Sequence, residues 1–205
     1  REQSMKAFWS RPATAIFLVV LVGVYALEVA LGGSTDVGVL IRLGANVPAL
    51  VLDGQPWRLF TSIFLHIGIV HILLNGWALY QLGGLVETFV GPSRMLAVAL
   101  GSGLVGSAAS TAWHVWMQNP GISAGASGAV FGLLGALVGL LLSRRNDLRA
   151  EGRSLLSSLL LWAGLNVYLG LSTPGIDNAA HFGGAIAGLL VGYFVLLRRR
   201  PQSAV

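Results

Sequence analysis

The sequence predicts an all-α membrane protein, a bundle of six transmembrane helices with an interfacial first loop, and three observations carry that prediction. Apolar residues make up 55% of the 205-residue chain and charged residues only 10%, against about 25% charged in ordinary soluble domains. The mean hydropathy is +0.75. The apolar residues also fall in long runs, at about 13–32, 67–89, 93–112, 126–143, 154–171 and 179–197, close to the roughly 20 residues that cross a hydrocarbon layer about 30 Å thick. These runs are continuous and lack the roughly ten-residue alternation of a membrane barrel, so helices remain as the way to satisfy the backbone in lipid. The expected organisation is a cytoplasmic segment 1–12, a six-span domain 13–197 and a cytoplasmic tail 198–205.

A net charge of +5 and a pI near 10.4 would suit a nucleic-acid partner, but the positions of the basic residues argue otherwise. Arg1, Lys6 and Arg11 precede the first span, and Arg94 lies between the second and third. Arg144, Arg145, Arg149 and Arg153 follow the fourth, and Arg198, Arg199 and Arg200 follow the sixth. All of these fall on one side of a six-span bundle, leaving Arg42 and Arg58 for the other. This positive-inside asymmetry predicts cytoplasmic termini, a lipid bilayer as surroundings and no nucleic acid. No small-x-small site follows a short apolar region, so the first span reads as retained. The chain has no cysteine, which excludes disulfides, thiol catalysis and thiolate metal sites.

The longest stretch between spans, about 33–66, is broken by Gly33, Pro48, Gly54 and Pro56 yet carries Val39, Leu40, Ile41, Leu43 and the run Leu50–Leu52. It is too apolar for a freely solvated loop and is expected in the interface, with Trp57 at headgroup depth and Arg58 reaching polar partners. A plain anchoring role is as good a reading of this segment as a functional one.

Ser127, in Gly125-Ala126-Ser127-Gly128, heads the fourth span, and His181 stands at the start of the sixth. Spans four and six run in the same direction, so both residues lie toward the outer surface. Gly128 and Gly132, then Gly184, Gly188 and Gly192, recur every four residues and so line one face of each helix. Small residues let two helix backbones approach closely. A nucleophile and its base need about 2.6–3.2 Å between heavy atoms, which only tight packing of these helices allows. Taken alone, the glycines read better as ordinary membrane packing and Ser127 as a helix cap.

His71 and Asn75 are four residues apart on one face of the second span, also at its outer end. An imidazole and a carboxamide among leucines require partners. Both can donate hydrogen bonds, and with a backbone N–H at Ser127 they could stabilise an oxyanion; an interhelical hydrogen-bonding role is the competing reading. His66 lies off that face and reads as a brace for the loop.

Other intramembrane chemistries lack their residues. No His-Glu-x-x-His occurs, so no metal site is expected. Asp36, Asp53, Asp147 and Asp177 fall in loops or at span ends, which excludes a pair of aspartates deep in the spans. Apart from Asp177 and Glu28, no carboxylate approaches the outer end, and none is clearly beside His181. A Ser127–His181 dyad without a cofactor is the economical reading.

Trp57-Arg58, His71 with Asn75, Gly125-Ala126-Ser127-Gly128 with Gly132, and Ala180-His181 with Gly184, in that order over six spans, resemble the rhomboid family of intramembrane serine proteases. The likeness runs from about Gly44 to Leu197. It implies Ser127 as nucleophile, His181 as general base, and an oxyanion hole from His71, Asn75 and the Ser127 backbone. It further implies hydrolysis of peptide bonds in or near transmembrane segments of membrane-protein substrates. Glu87 matches a family position at the inner end of span two, where an ion pair or cap is expected. Phe131 stands where tyrosine is frequent; its ring can still pack on His181, without a phenolic hydroxyl. Asn178 and the connection Ser172-Thr173-Pro174-Gly175 resemble a cap loop that moves aside for substrate, and equally a tight turn. The six-span core resembles the simpler prokaryotic form, a multi-pass protein of the cell membrane. The alternatives are a catalytically silent rhomboid-like binding or quality-control protein and, third, a small transporter.

Overall fold

The computed structural model describes residues 11–195. Arg1, Lys6, Arg198, Arg199 and Arg200 lie outside the described residues, as do 1–10 of the expected leading segment and the whole tail 198–205. Six long helices make up the body: α1 (Pro12–Ala30), α5 (Ile69–Val90), α6 (Pro92–Trp116), α7 (Ser127–Ser143), α8 (Ala150–Ser172) and α9 (Asn178–Phe194). Three short ones, α2 (Val37–Leu43), α3 (Pro48–Leu52) and α4 (Arg58–Thr61), lie between α1 and α5. Among the described residues the extended backbone is limited to one antiparallel bridge, Asn46 with Ser123. The all-helical membrane fold expected from composition is therefore present.

Local chemistry explains where these helices begin. Pro12, Pro48 and Pro92 open α1, α3 and α6, at positions where an N–H would lack an intrahelical acceptor anyway. Asp36 caps α2 by accepting from Val39 N at 2.8 Å, and the left-handed Gly44 closes it. Helix α6 ends at Trp116, four residues beyond the expected limit, with Met117 as its C-cap; its last turn carries the ring pair Trp113–Trp116, whose amphipathic rings suit the level of lipid headgroups.

Length and burial separate the helices into two kinds. Helices α1, α5, α6 and α8 are long and apolar enough to cross a membrane by length and composition. Helix α7 has 17 residues, and every one from Gly128 to Leu141 is buried; a helix apolar all round belongs in the middle of the bundle. In α8, by contrast, only Leu159 and Gly170 are buried, so most of its apolar surface faces outward.

The expected glycine seam is where α7 and α9 meet. A Cβ on Gly184 would run into the carbonyl of Gly128, on Gly188 into that of Gly132, and on Gly192 into that of Ala136. The contacts step forward together along both chains, so the helices are parallel and start at the same end. At the opposite end Glu87 accepts from Ala13 N (3.0 Å), Thr14 N (2.8 Å) and Thr14 Oγ1 (2.7 Å). The cap expected at Glu87 is thus the N-terminal cap of α1, a carboxylate on the positive end of a helix.

The stretch 33–66 is more structured than a plain loop. Leu40, Ala45 and Leu65 form a small core of their own, with Val24, Leu43, Ile122 and Ala124 packed against it. Periodicity could not reveal α2, α3 and α4, because helices of four to seven residues are too short to repeat a pattern.

Candidate active site

The starts of α5, α7 and α9 meet at one end of the bundle. Ser127 is the first residue of α7 and His181 lies in the first turn of α9. His181 Nε2 is 2.9 Å from Ser127 Oγ. The serine hydroxyl thus meets the imidazole instead of capping its own helix, and the glycine seam brings the two backbones close enough for that. As the opening residue of α7, Ser127 also carries one of the backbone N–H groups that a helix leaves without an internal acceptor.

Phe131, one turn on, stacks on the His181 ring with centroids 4.3 Å apart and planes 10° apart. The ring lies flat against the imidazole, as the phenyl of a tyrosine could, without a hydroxyl. A cavity of about 90 Å³ adjoins this pair between α7, α8 and α9, lined by Phe131, Asn166, Asn178 and His181 together with apolar side chains.

His71 approaches from the other side. Gly125 has φ +143°, and a Cβ there would lie 2.6 Å from His71 Cε1 and 2.9 Å from its Nε2. The Ser127 loop can pass the imidazole only because residue 125 lacks a side chain. Ile67 N donates to His71 Nδ1 at 3.3 Å, so in the neutral ring the proton is on Nε2, the nitrogen turned to the loop. Asn75 is buried and donates one amide hydrogen to His71 O at 3.0 Å; the amide has a second to offer.

His66 is fully buried and ties three elements together. Its backbone N–H donates to Glu28 Oε1 at 2.9 Å, and its ring nitrogens sit 3.2 Å from Phe64 O and 3.5 Å from Ala126 N. Burial, with a smaller push from the neighbouring His71, lowers its pKa to about 3 against an ordinary 6.5. The ring is neutral, so Nδ1–H donates to Phe64 O while Nε2 accepts from Ala126 N. His66 is the brace expected of it, and it reaches the residue before Ser127. Glu28, 0% exposed, is its anchor on α1.

Trp57, Arg58 and Asn178 stand further out. Arg58 Nη1 donates to the carbonyls of Ile41 (2.7 Å) and Ala45 (3.1 Å), and its Nε to Gln55 Oε1 (2.8 Å), with the guanidinium 4.7 Å from the Trp57 ring. Arg58 therefore finds its polar partners at the end of α2 and staples the first loop, while Trp57 is about half exposed. Asn178 Nδ2 donates to Gly170 O at 2.9 Å, closing the turn between α8 and α9.

Sequence reasoning missed Asn46. It is 0% exposed, exchanges both backbone bonds with Ser123, donates to Ser107 O at 2.9 Å and accepts from Thr111 Oγ1 at 2.9 Å. A lone carboxamide in an apolar segment was the available signal. Ser62 extends the same network, 2.8 Å from Ser107 Oγ by its hydroxyl and accepting Gly125 N at 2.9 Å by its carbonyl. Asn46 and Ser62 thus hold the loop before Ser127 on both sides of its turn.

Residues 53–198 match the family model described as Rhomboid domain. The chain belongs to the rhomboid family. Rhomboid protease GluP of Bacillus subtilis (strain 168) is 39% identical over 176 residues, 85% of this chain and 33% of that protein. RHOMBOID-like protein 5 of Arabidopsis thaliana is 39% identical over 163 residues, 80% of this chain and 51% of its own length. RHOMBOID-like protein 1 of the same plant is 38% identical over 164 residues, 80% of this chain and 40% of that protein. This rhomboid chain spans between a third and about half the length of these relatives. Membership of the family, with the apolar helices, makes it an integral membrane protein.

Proposed function

We propose that this rhomboid is an intramembrane serine endopeptidase, hydrolysing peptide bonds in or near the transmembrane segments of membrane-protein substrates. The observation that carries the reading is the 2.9 Å approach of His181 Nε2 to Ser127 Oγ, within the range for a nucleophile and its base. The similarity to GluP, a protein named a rhomboid protease, supports the same class of activity.

In the proposed mechanism His181 Nε2 takes the hydroxyl proton as Ser127 Oγ bonds to the substrate carbonyl carbon. The oxygen of that carbonyl becomes an oxyanion, for which the Ser127 N–H, His71 Nε2–H and the free amide hydrogen of Asn75 are the candidate donors. Collapse breaks the C–N bond, and the imidazolium returns its proton to the departing amine, leaving an ester on Ser127. Water then attacks the ester with His181 again as base, releasing the acid and regenerating the hydroxyl. Phe131 and the glycine seam hold the imidazole in place. Among the described residues no carboxylate is hydrogen-bonded to the His181 ring, so the proposed unit is a dyad. Following the asymmetry of basic residues, the site opens to the outer side of a prokaryotic cell membrane, with both termini cytoplasmic.

Proteolysis of a transmembrane substrate in detergent or liposomes tests this reading. Ser127→Ala and His181→Ala should each lower kcat by about 1000-fold or more, and fluorophosphonate labelling should disappear in Ser127→Ala. Cleavage undiminished by either substitution would overturn the dyad.

A further inference from the structure

We infer that Asp177 is a positioning residue for the Ser127–His181 pair, because a single carboxylate binds together the loop that leads to the serine and the helix that carries the histidine. The inference rests on the protease reading above.

Asp177 sits immediately before α9. Its Oδ1 accepts from Ala180 N at 3.0 Å, capping the helix one residue before His181. Its Oδ2 accepts two hydroxyl bonds of 2.5 Å, from Ser123 in the loop before Ser127 and from Ser110 near the end of α6. Three elements distant in sequence therefore converge on one half-buried side chain. Ser123 also exchanges both backbone bonds with Asn46, so the carboxylate is tied through it to the first loop.

Both oxygens are thus engaged in the clamp, and neither is hydrogen-bonded to the His181 ring. Asp177 is not hydrogen-bonded to His181 as the third member of a catalytic triad would be; beside the charge it places near that ring, it acts through the elements it joins. The seam of Gly184, Gly188 and Gly192 fixes how closely α7 and α9 pack, and Asn46 and Ser62 tie the loop 117–126 to the first loop, but neither joins that loop to the start of α9. The clamp sets where that loop stands relative to the first turn of α9. Charge-assisted hydroxyl–carboxylate bonds are short and strong enough for that role. A misplacement of about 1 Å in a reacting pair can lower the rate roughly 100-fold.

The test compares the parent with Asp177→Ala, Ser123→Ala, the double variant and Asp177→Asn. Readouts are kcat and KM on a transmembrane substrate, fluorophosphonate labelling of Ser127, thermal unfolding, and hydrogen exchange over 117–126. Asp177→Ala should lower kcat roughly 10- to 100-fold with KM changed by no more than about 2-fold, and exchange over 117–126 should rise in both single variants. The double variant should be no slower than Asp177→Ala, because Ser123 acts through the same carboxylate. Asp177→Asn, whose amide keeps the cap and offers a donor to the two hydroxyls, should recover most of kcat.

If Asp177→Ala has parental kcat per folded molecule, if the losses in the double variant multiply, or if exchange over 117–126 is unchanged, the clamp is overturned while the dyad stands. If the parent itself is not labelled at Ser127, the protease reading falls and the catalytic role of Asp177 with it.

Discussion

Phe131 covers one face of His181, with ring centroids 4.3 Å apart and planes inclined by 10°. The stack confines the imidazole to a plane in which Nε2 meets Ser127 Oγ. Stacked aromatic pairs contribute about 0.5–1.5 kcal/mol beyond the area they bury. Phe131→Leu should therefore lower kcat several-fold with KM nearly unchanged, and Phe131→Tyr should hold parental kcat. Steady-state kinetics on one substrate would decide; equal kcat for Leu and Phe would show that the stack does not position the imidazole.

The glycine seam yields a sharper contrast. At Gly188 a side chain would strike the Gly132 carbonyl, whereas at Gly164 on α8 nothing lies within 4 Å of a new Cβ. Gly188→Ala should separate α7 from α9, lowering both the unfolding temperature and the rate of Ser127 labelling. Gly164→Ala should be neutral or stabilising by up to about 1 kcal/mol, the helix propensity difference. Similar unfolding temperatures for the two variants would contradict the close contact.

Glu87 is a stability residue remote from the chemistry. Removing the acceptor of three bonds at the start of α1 leaves buried donors unpaired, and hydrogen bonds to a charged group contribute about 1.5–3 kcal/mol each. Glu87→Ala should destabilise by about 3 kcal/mol, with kcat per folded molecule preserved. Unfolding in detergent at matched lipid content measures the first, and active-site titration the second.

Substrate preference follows from backbone chemistry. Carbonyls in a transmembrane helix are held in internal bonds, and attack requires that they be released. Substrates with Gly or Pro near the cleaved bond should be cut faster than helix-favouring counterparts, because those residues lower the cost of unwinding. Paired substrates differing only there would show it, and equal rates would argue against local unwinding as a requirement.

Much of this was legible from the chain because it is local. Six apolar runs, the four-residue recurrence of glycine and the pairing of His71 with Asn75 are patterns a helix repeats along its own length, and the structure carries each of them. The asymmetry in burial between α7 and α8 was legible only in part: α7 is apolar all round, as a central helix is, whereas nothing local in α8 says that its neighbours cover only Leu159 and Gly170. Asp177 was visible as an acid near a span end, but its partners Ser110 and Ser123 lie 67 and 54 residues away. Asn46, with Ser107 and Thr111 more than 60 residues distant, and Glu28, 38 residues from His66, were hidden for the same reason.

Composition and spacing by themselves determined the class, the six long helices, the family resemblance and which helices could pack tightly, since hydrophobic runs and small-residue faces act within a few turns. Tertiary structure alone decided the 2.9 Å meeting of Ser127 with His181, the tautomer facing the Gly125 loop and the carboxylate clamp before α9. Single polar side chains have no period to read; their partners are selected by the folding of the whole bundle, where a buried hydrogen-bonding group must be satisfied by whatever the fold brings beside it.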